Sequence, residues 1–388
     1  MPAESLALLG VGLFLTALVL GFALSMVACR IAPRFGLVDR PGGRKAHAKP
    51  TPMGGGVAFW LAWLITLLGS GAAALLLRGS FPTHLTKLID GAWMRAGSLG
   101  ILVGLSAVIM IMGLIDDRVG LGWRLRLLIQ CALALVYVLV VEQATFFQSN
   151  RWLAAAITVI WIVGLTNSFN FLDNMDGLSA SVGLIACVLF AGAQVAVGSL
   201  FVPAVLLILA GALGGFLILN APPARLFMGD AGSNALGFLL GALTVTGTFT
   251  RPGFSPLAVM APLLVMAVPL YDTCSVVLIR LREGRSPFQA DRSHFSHRLV
   301  QRGLTRGQAV ATIDLVTLAS GLGALLLHRV TTAWEAFVLV GQTVCILGVV
   351  AMLELGTGRT TPKRIETQAL TEKCEAAEVE HDAKNASR

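Results

Sequence analysis

The run LALLGVGLFLTALVLGFALSMVA, residues 6–28, holds no charged side chain and is long enough to cross a bilayer as one helix. A secretory signal would need a charged segment before such a run and a small-residue cleavage site after it, but Pro33 and Arg34 follow instead. We therefore predict a retained transmembrane helix. Similar apolar runs recur along the chain and predict eleven spans: 6–29, 55–77, 97–115, 125–142, 152–166, 178–197, 200–219, 234–249, 256–280, 309–328 and 332–355.

The composition favours a membrane protein over a soluble one. Hydrophobic residues make up 56% of the 388 residues and charged residues 13%, whereas a soluble domain carries about a quarter charged residues. The pattern predicts an all-α fold, a polytopic transmembrane helical bundle of eleven spans with its active site in cytoplasmic loops. Residues 1–356 would form the integral membrane domain and residues 357–388 a polar, disordered cytoplasmic tail.

Positive charges set the expected orientation. Lys and Arg are concentrated in the loop after the first predicted span, in the loop after the ninth and in the C-terminal tail. An even number of spans separates these segments, so they lie on one side. The positive-inside rule assigns that side to the cytoplasm and places the N-terminus outside. The net charge of +8 also suits an anionic lipid or a polyphosphate ligand.

Clusters of acidic, amide and histidine residues interrupt the apolar pattern, and all fall on the predicted cytoplasmic side. They are GLIDDR with Asp116 and Asp117, NSFNFLDNMDG with Asn167, Asn170, Asp173 and Asp176, FMGDAGS with Asp230, and SPFQADRSHFSH with Arg292, His294 and His297. The basic first loop, RPGGRKAHAKPTPMGGG, adds Arg44, Lys45 and His47 on that side. We expect these five segments to share one cleft.

Asp116 and Asp117 stand next to each other at the end of the third predicted span. Adjacent carboxylates repel, so at least one needs a cation, a proton or a hydrogen-bond donor nearby. Ionisable residues beside a membrane segment are costly and often functional. The alternative is a solvated loop pair whose charge Arg118 balances.

Asn170, Asp173 and Asp176 are spaced by three, so a helix would place them on one face, with Asn167 one turn earlier. Such a face offers oxygen ligands to a hard cation such as Mg²⁺. A polar loop with helix-capping residues is the alternative. In FMGDAGS, Asp230 lies between two glycines that would let backbone N–H groups approach a phosphate, although a simple turn would have the same sequence.

The loop around His294 and His297 combines histidines with arginines, which suit bidentate contacts to phosphate oxygens. Positive-inside charge alone would explain the arginines but not the histidines. A zinc pair is the alternative for the histidines, but no Cys or third His lies nearby in the sequence. The Gly- and Pro-rich first loop is either a flexible basic loop or a lid that brings Arg44, Lys45 and His47 to phosphate.

These motifs together carry a family resemblance. From about residue 34 to residue 300 the chain resembles the polyprenyl-phosphate N-acetylhexosamine-1-phosphate transferases, which are integral membrane enzymes, with all five motifs in family order. The R-K-x-H pattern at Arg44, Lys45 and His47 resembles the branch that starts O-antigen, enterobacterial common antigen or teichoic acid linkage synthesis. The phospho-N-acetylmuramoyl-pentapeptide transferase branch of peptidoglycan synthesis is the alternative.

The resemblance implies transfer of a sugar 1-phosphate from a UDP-N-acetylhexosamine to undecaprenyl phosphate at a bacterial inner membrane, with release of UMP. It implies Mg²⁺, with Mn²⁺ as the alternative ion, contact with membrane lipid and no nucleic acid, and it leaves a homodimer open. The residue roles it implies are metal binding by Asp230 and Asn170, catalysis on the lipid phosphate by Asp116 and Asp117, catalytic support by Asp173 and Asp176 at the nucleotide or metal, and substrate binding by Arg44, Lys45, His47, Asn167, Arg292, His294 and His297.

Two positions depart from the family pattern. Asn174 stands where the family usually has glycine, and Ser296 replaces the middle histidine of an H-x-H-H motif. We therefore expect position 296 to be dispensable here, and we expect Ser296→His to change turnover by less than about tenfold.

A transporter is the competing functional class, because many spans with polar loops would fit one. Transporters usually hold ionisable residues near the bilayer midplane, whereas here these residues cluster at one membrane face. A catalytically inactive family member is a further alternative. The loss of Asp116 or Asp230 would have favoured it, and both are present.

Overall fold

The computed structural model of the protein describes residues 3–40, 50–80, 83–141, 150–287 and 293–355. Of the described residues, those up to 347 belong to one compact unit and 348–355 to a second. The α-helices of the described ranges are α1 (Ala3–Ile31), α2 (Gly55–Leu76), α3 (Thr83–Met94), α4 (Ala96–Val119), α5 (Trp123–Val140), α6 (Arg151–Leu172), α7 (Leu178–Ala196), α8 (Phe201–Asn220), α9 (Gly229–Thr246), α10 (Ala261–Val265), α11 (Ala267–Arg282), α12 (Phe295–Gln301), α13 (Arg306–Leu322) and α14 (Ala333–Leu355).

By length and composition, nine helices in the described part of the chain could cross a membrane, and a bent pair would make a tenth. That pair, Pro256–Val265 and Ala267–Arg282, meets at 59° where we predict one span. Helix α9 is not counted among them, because its first turns carry Asp230, Ser233 and Asn234. The predicted all-α, polytopic membrane fold is confirmed, whereas the count of eleven spans stays a prediction.

Glycines let helices α1 and α8 approach each other closely. A Cβ on Gly211 of α8 would lie 2.1 Å from the Phe14 carbonyl oxygen of α1, and a Cβ on Gly21 of α1 would lie 2.5 Å from the Ala212 oxygen. Small residues at crossing points are typical of membrane helices, because van der Waals contact replaces the hydrophobic drive that operates in water. Helices α7 and α8 are the most buried of the spans.

Glycines also let α4 and α6 pack closely against α9. A Cβ on Gly113 of α4 would lie 2.3 Å from the Asp230 carbonyl oxygen, and a Cβ on Gly237 of α9 would lie 2.5 Å from the Leu165 oxygen of α6. The last turn of α4 therefore lies directly against the first turn of α9. The polar clusters of these helices end up within contact of one another.

A small antiparallel hairpin ties the first loop to the start of α9. Strand β1 (Val38–Asp39) pairs with β2 (Thr51–Pro52), with Val38 opposite Pro52 and Asp39 opposite Thr51. The Phe227 N–H donates to the Pro52 carbonyl at 2.9 Å, and the Gly55 N–H donates to the Phe227 carbonyl at 2.9 Å. The two ends of the basic loop are thus held beside the segment that carries Asp230.

The helices extend further than the apolar runs predict. Helix α4 continues to Val119 and ends at Gly120, whose φ of 68° stops the helix, while α6 continues to Leu172 and α9 begins at Gly229. A polar side chain does not by itself end a helix, because the backbone hydrogen bonds can continue past it. The prediction that the site lies in loops is therefore wrong for the following residues, which are helical: Asp116, Asp117, Asn167, Asn170 and Asp230.

Candidate active site

The site begins where the end of α4 meets the start of α9. The Asp117 carboxylate accepts the backbone N–H of Asp230 at 2.8 Å and that of Ala231 at 3.2 Å. These N–H groups have no partner within their own helix, and the positive helix terminus favours a carboxylate. Gly229 makes the approach feasible, since a Cβ there would lie 2.7 Å from an Asp117 oxygen. Asp117 and Asp230 are therefore held side by side.

Asp230 is partly exposed and lies beside Asn170 and Arg126. Its Oδ1 accepts a hydrogen bond from Asn170 Nδ2 at 2.6 Å, its Oδ2 lies 3.6 Å from Arg126 Nη1, and its side chain is 35% exposed. Asn170 also donates to Ser233 Oγ at 3.0 Å, which fixes the amide between the two helices. The structure thus brings together Asp230 and Asn170, the two residues predicted to bind metal.

Asp116 differs from its neighbour, because protein groups occupy both of its oxygens. The Leu121 N–H donates to Oδ1 at 2.5 Å, Arg126 Nη1 lies 2.6 Å from Oδ2, and the side chain is 4% exposed. The alternative of a solvated loop pair balanced by Arg118 is wrong for Asp116, since this carboxylate is helical and buried and pairs with Arg126. The geometry suits Asp116 to holding Arg126 in place and does not suit it to taking a proton from a substrate.

The turn after α6 carries Asp173 and Asp176. Helix α6 ends at Leu172, so the predicted single helical face for Asn170, Asp173 and Asp176 does not form. The physical reason is that Gly177 takes a left-handed φ of 80° and the chain turns before α7. Asp176 accepts the Ala224 N–H at 3.0 Å and so fixes the segment that leads into α9.

Negative charge accumulates around Asp173. Burial raises its pKa well above the ordinary value, and the negative charges of Asp230, Asp117 and Asp176 raise the pKa further. Within the described residues, Asp173 has no hydrogen-bond partner for its carboxylate. A proton or a cation would relieve the repulsion among these charges.

The donor set fits Mg²⁺ by charge and by chemistry, since carboxylate and amide oxygens are its usual protein ligands. No group of three or more His, Cys, Asp or Glu side chains in the described part of the chain is arranged to hold a metal on its own. Mg²⁺ usually takes one or two carboxylates and completes its shell with water and substrate phosphates, so a partial protein shell agrees with this ion.

A network of amides lies behind the carboxylates. Asn167 Nδ2 donates to Gln130 Oε1 at 2.7 Å, Gln130 donates to Asn234 Oδ1 at 3.0 Å, and Asn234 donates to the Asp230 carbonyl at 2.7 Å. Gln130 and Asn234 are buried. The structure therefore places Asn167, predicted to bind substrate, in a support that joins α5, α6 and α9.

The histidine segment approaches from the far side of the α6–α7 turn. His294 is buried, its Nδ1 lies 2.9 Å from Asp272 Oδ2, and its ring packs edge-on against Phe171 at 5.6 Å. His297 lies on α12 and is half-buried. The remaining residues predicted to bind substrate lie outside the described residues: Arg44, Lys45, His47 and Arg292.

The two departures from the family pattern contact each other. Ser296 Oγ donates to Asn174 Oδ1 at 2.5 Å, and Asn174 Nδ2 donates to the Phe171 carbonyl at 2.6 Å. Ser296 is 1% exposed. The expectation that position 296 is dispensable, and that Ser296→His has only a small effect on turnover, has to be revised, because a larger side chain there meets Asn174.

We now expect Ser296→His alone to lower turnover by more than about tenfold, because the imidazole would displace Asn174 and break the hydrogen bond between the two side chains. Overpacking of this filled site should also lower the free energy of unfolding by about 1–3 kcal/mol. Adding Asn174→Gly removes the obstructing amide, so the double variant should recover much of the loss. Turnover and the melting midpoint in detergent check this for both single variants and the double. If the losses of turnover in the two single variants simply add in the double variant, the two positions are independent.

Sequence reasoning misses Arg126, Gln130 and Asp272. Arg126 belongs to WRLRLL at the start of a predicted span and resembles an ordinary flanking cation. Asp272 is a lone carboxylate inside the predicted span 256–280, and such a residue is a recognisable functional signal. Gln130 gives no signal apart from being an amide in an apolar run.

A cavity of about 310 Å³ lies at the other end of α4, away from Asp116. Arg95, Tyr137 and Thr246 are among its lining residues. None of the predicted site residues lines it, so it is separate from the carboxylate cluster.

The chain is similar to known enzymes over most of its length. Residues 99–248 match glycosyl transferase family 4, a range that includes the whole carboxylate cluster. Over 381 residues the chain is 32% identical to the decaprenyl-phosphate N-acetylglucosaminephosphotransferase of Mycolicibacterium smegmatis, covering 91% of this chain and 88% of that protein. The chain belongs to glycosyl transferase family 4.

Two more relatives are named as enzymes of the same kind. The chain is 28% identical over 334 residues to a probable undecaprenyl-phosphate N-acetylglucosaminyl 1-phosphate transferase of Bacillus subtilis, covering 84% of this chain and 87% of that protein. It is 26% identical over 313 residues to the undecaprenyl-phosphate α-N-acetylglucosaminyl 1-phosphate transferase of Escherichia coli K12, covering 76% and 77%. The resemblance found from the motifs is thereby confirmed.

Proposed function

We propose that this family 4 member transfers N-acetylglucosamine 1-phosphate from its UDP-sugar to undecaprenyl phosphate and releases UMP. This would be the first step of a lipid-linked cell-envelope polysaccharide. The observation that carries the proposal is the meeting of Asp117, Asn170 and Asp230 with Arg126 at the joined ends of α4, α6 and α9. The relatives, which are named as polyprenyl-phosphate N-acetylglucosamine-1-phosphate transferases, support the same reaction.

The chemistry needs positioning and charge neutralisation more than it needs covalent help. An oxygen of the lipid phosphate would attack the phosphorus that carries the sugar and form a new diphosphate bond. The bond from that phosphorus to UMP breaks, and UMP leaves with the bridging oxygen. Arg126, 29% exposed and next to Asp230, would neutralise charge that develops on the phosphates.

Asp230 and Asn170 are the proposed protein ligands for Mg²⁺. When bound, the ion would neutralise the diphosphate and make the phosphorus easier to attack. Asn170 uses its Nδ2 on Asp230 and Ser233, which leaves its carbonyl oxygen as the ligand atom. Asp117 and Asp176 instead hold backbone N–H groups at the entry to α9, so their role is to position Asp230.

Asp173 is the proposed proton acceptor. Asp173 lies in the turn after α6 beside the negative charges of Asp230, Asp117 and Asp176, and accepting a proton there would relieve their repulsion. Deprotonating the lipid phosphate would improve it as a nucleophile. This assignment replaces the role implied for Asp116 and Asp117, whose oxygens are bonded to protein groups.

We place the site at the cytoplasmic face of a bacterial inner membrane, with the N-terminus outside. The Lys- and Arg-rich segments support this orientation. UDP-sugars are the proposed soluble partner, and the lipid tail would lie against the outer surfaces of the helices. A homodimer stays an untested prediction.

The test is UMP release by purified protein in nanodiscs, with undecaprenyl phosphate, Mg²⁺ and a panel of UDP-sugars. We expect UMP only when all three components are present, with UDP-GlcNAc or a close UDP-N-acetylhexosamine preferred. Direct attack requires this dependence because no enzyme-bound phosphosugar precedes the lipid.

Other outcomes separate the alternatives. Turnover of UDP-MurNAc-pentapeptide without turnover of UDP-GlcNAc would move the chain to the peptidoglycan branch. A stoichiometric burst of UMP without lipid would contradict direct attack and favour a phosphorylated aspartate. Nanodiscs that lack undecaprenyl phosphate are the matched control.

A further inference from the structure

Asp272 is a buried carboxylate in the middle of α11. Its side chain is 1% exposed, and the structure gives it two partners on the histidine segment. Oδ2 lies 2.9 Å from His294 Nδ1, and Oδ1 accepts the backbone N–H of Phe295 at 2.6 Å. Both contacts cross from α11 to the residues that open α12.

A carboxylate in this place needs an explanation beyond helix capping. Burying an ionised group inside an apolar span is costly, and residues that persist there usually serve a function. The Phe295 N–H alone could be satisfied by a neutral Asn or Ser, which cap helices as well as Asp does. The second carboxylate oxygen, Oδ2, explains why position 272 holds Asp and not Asn or Ser, because it faces an imidazole nitrogen of His294.

We propose that Asp272 is a positioning residue that holds His294 by Nδ1 and so presents the Nε2 lone pair as an acceptor for a hydroxyl or N–H donor of the UDP-sugar. An ionised carboxylate only accepts hydrogen bonds, so Nδ1 must carry the proton. The edge contact with Phe171 restrains the ring, and the Arg280 guanidinium lies 5.6 Å from the centre of that same Phe171 ring. The proposal rests on the proposed function for its substrate, but the orientation of His294 does not.

The variant Asp272→Asn separates the two contacts. Asparagine has one acceptor oxygen, and the buried Phe295 N–H requires it, so the amide NH₂ would face His294. Nδ1 would then have to accept, and the proton would move to Nε2. Asp272→Ala removes both contacts and measures how much of the effect comes from lost structural support alone. Asp314→Asn on α13, which alters a carboxylate bonded to Ser181, is the matched control.

The first measurement needs no substrate. ¹⁵N spectra of histidine-labelled protein, with the His294 signal identified by its loss in His294→Gln, should show a protonated Nδ1 in the wild type. In Asp272→Asn the proton should be on Nε2, while Asp314→Asn should leave the signal unchanged. An unprotonated Nδ1 in the wild type overturns the proposal, whatever reaction the enzyme catalyses.

The second measurement is a double-mutant cycle with UDP-GlcNAc. We expect Asp272→Asn to raise KM about tenfold with little change in kcat, as losing an orienting partner typically does. In the His294→Gln background, Asp272→Asn should raise KM less than about twofold, because Asp272 acts on the substrate only through the imidazole that this background lacks. An undiminished loss in that background, or a wild-type KM in folded Asp272→Asn, would refute the positioning role. A wild type that lacks transfer activity would refute the proposed function and leave the spectra to decide on Asp272.

Discussion

Replacing Asp230 by Asn should lower kcat/KM for UMP release by about 10²–10³, a loss typical of removing one charge-stabilising group from a transition state. The substitution keeps the size of the side chain and an oxygen for the bond from Asn170. It removes the negative charge of a partly exposed cluster member that lies next to Arg126. The remaining activity should need more Mg²⁺, because a neutral amide is a weaker ligand than a carboxylate.

Asp90→Asn provides the control for the Asp230 variant. Asp90 on α3 is an exposed carboxylate that pairs with the exposed Arg78, so its loss should leave turnover unchanged. Both proteins need a melting midpoint in detergent close to that of the wild type. Turnover of a folded Asp230→Asn protein at the wild-type level, with the same dependence on Mg²⁺, would remove Asp230 from the metal site.

The membrane fold follows from single runs such as residues 6–28, because bilayer thickness dictates how many apolar residues a helix needs. Helix ends do not follow in the same way. Asp116 and Asn170 are polar and yet helical, since the backbone bonds of α4 and α6 continue beyond the apolar run. The end of an apolar run marks the edge of the hydrocarbon and does not mark the end of the helix.

The convergence of the carboxylates was predictable because the predicted topology places them at one membrane face. Asp117, Asn170 and Asp230 do contact one another in the structure. The partner of each side chain was not predictable. Asp272 and His294 are 22 residues apart in sequence and become neighbours only through tertiary packing.

Asp116 and Asp117 show the same limit most sharply. Successive residues on a helix point about 100° apart, so adjacent aspartates contact different neighbours. One caps α9, and the other binds Arg126. The motif identifies two carboxylates, and the fold gives them different tasks.

Arg126→Met should lower kcat/KM about 100-fold, equivalent to about 2.7 kcal/mol of transition-state stabilisation. Arg126 is the cation that lies 2.6 Å from Asp116 and 3.6 Å from Asp230, where the phosphates of both substrates would meet. The same change should also destabilise the fold, because Asp116 is buried and would lose its counter-charge. We expect a cost of about 2 kcal/mol, below the roughly 3–5 kcal/mol typical of a fully buried pair, since Arg126 is partly exposed.

The double variant Asp116→Asn/Arg126→Met distinguishes these two effects. The Asp116→Asn change keeps an acceptor oxygen for the Leu121 N–H and removes the buried charge that Arg126→Met alone leaves behind. The melting midpoint in detergent should therefore return towards the wild type, while UMP release should stay as low as in Arg126→Met. Recovery of activity together with stability would mean that Arg126 acts solely by neutralising Asp116. Asp116 would then be part of the fold, and the phosphates would need another cation.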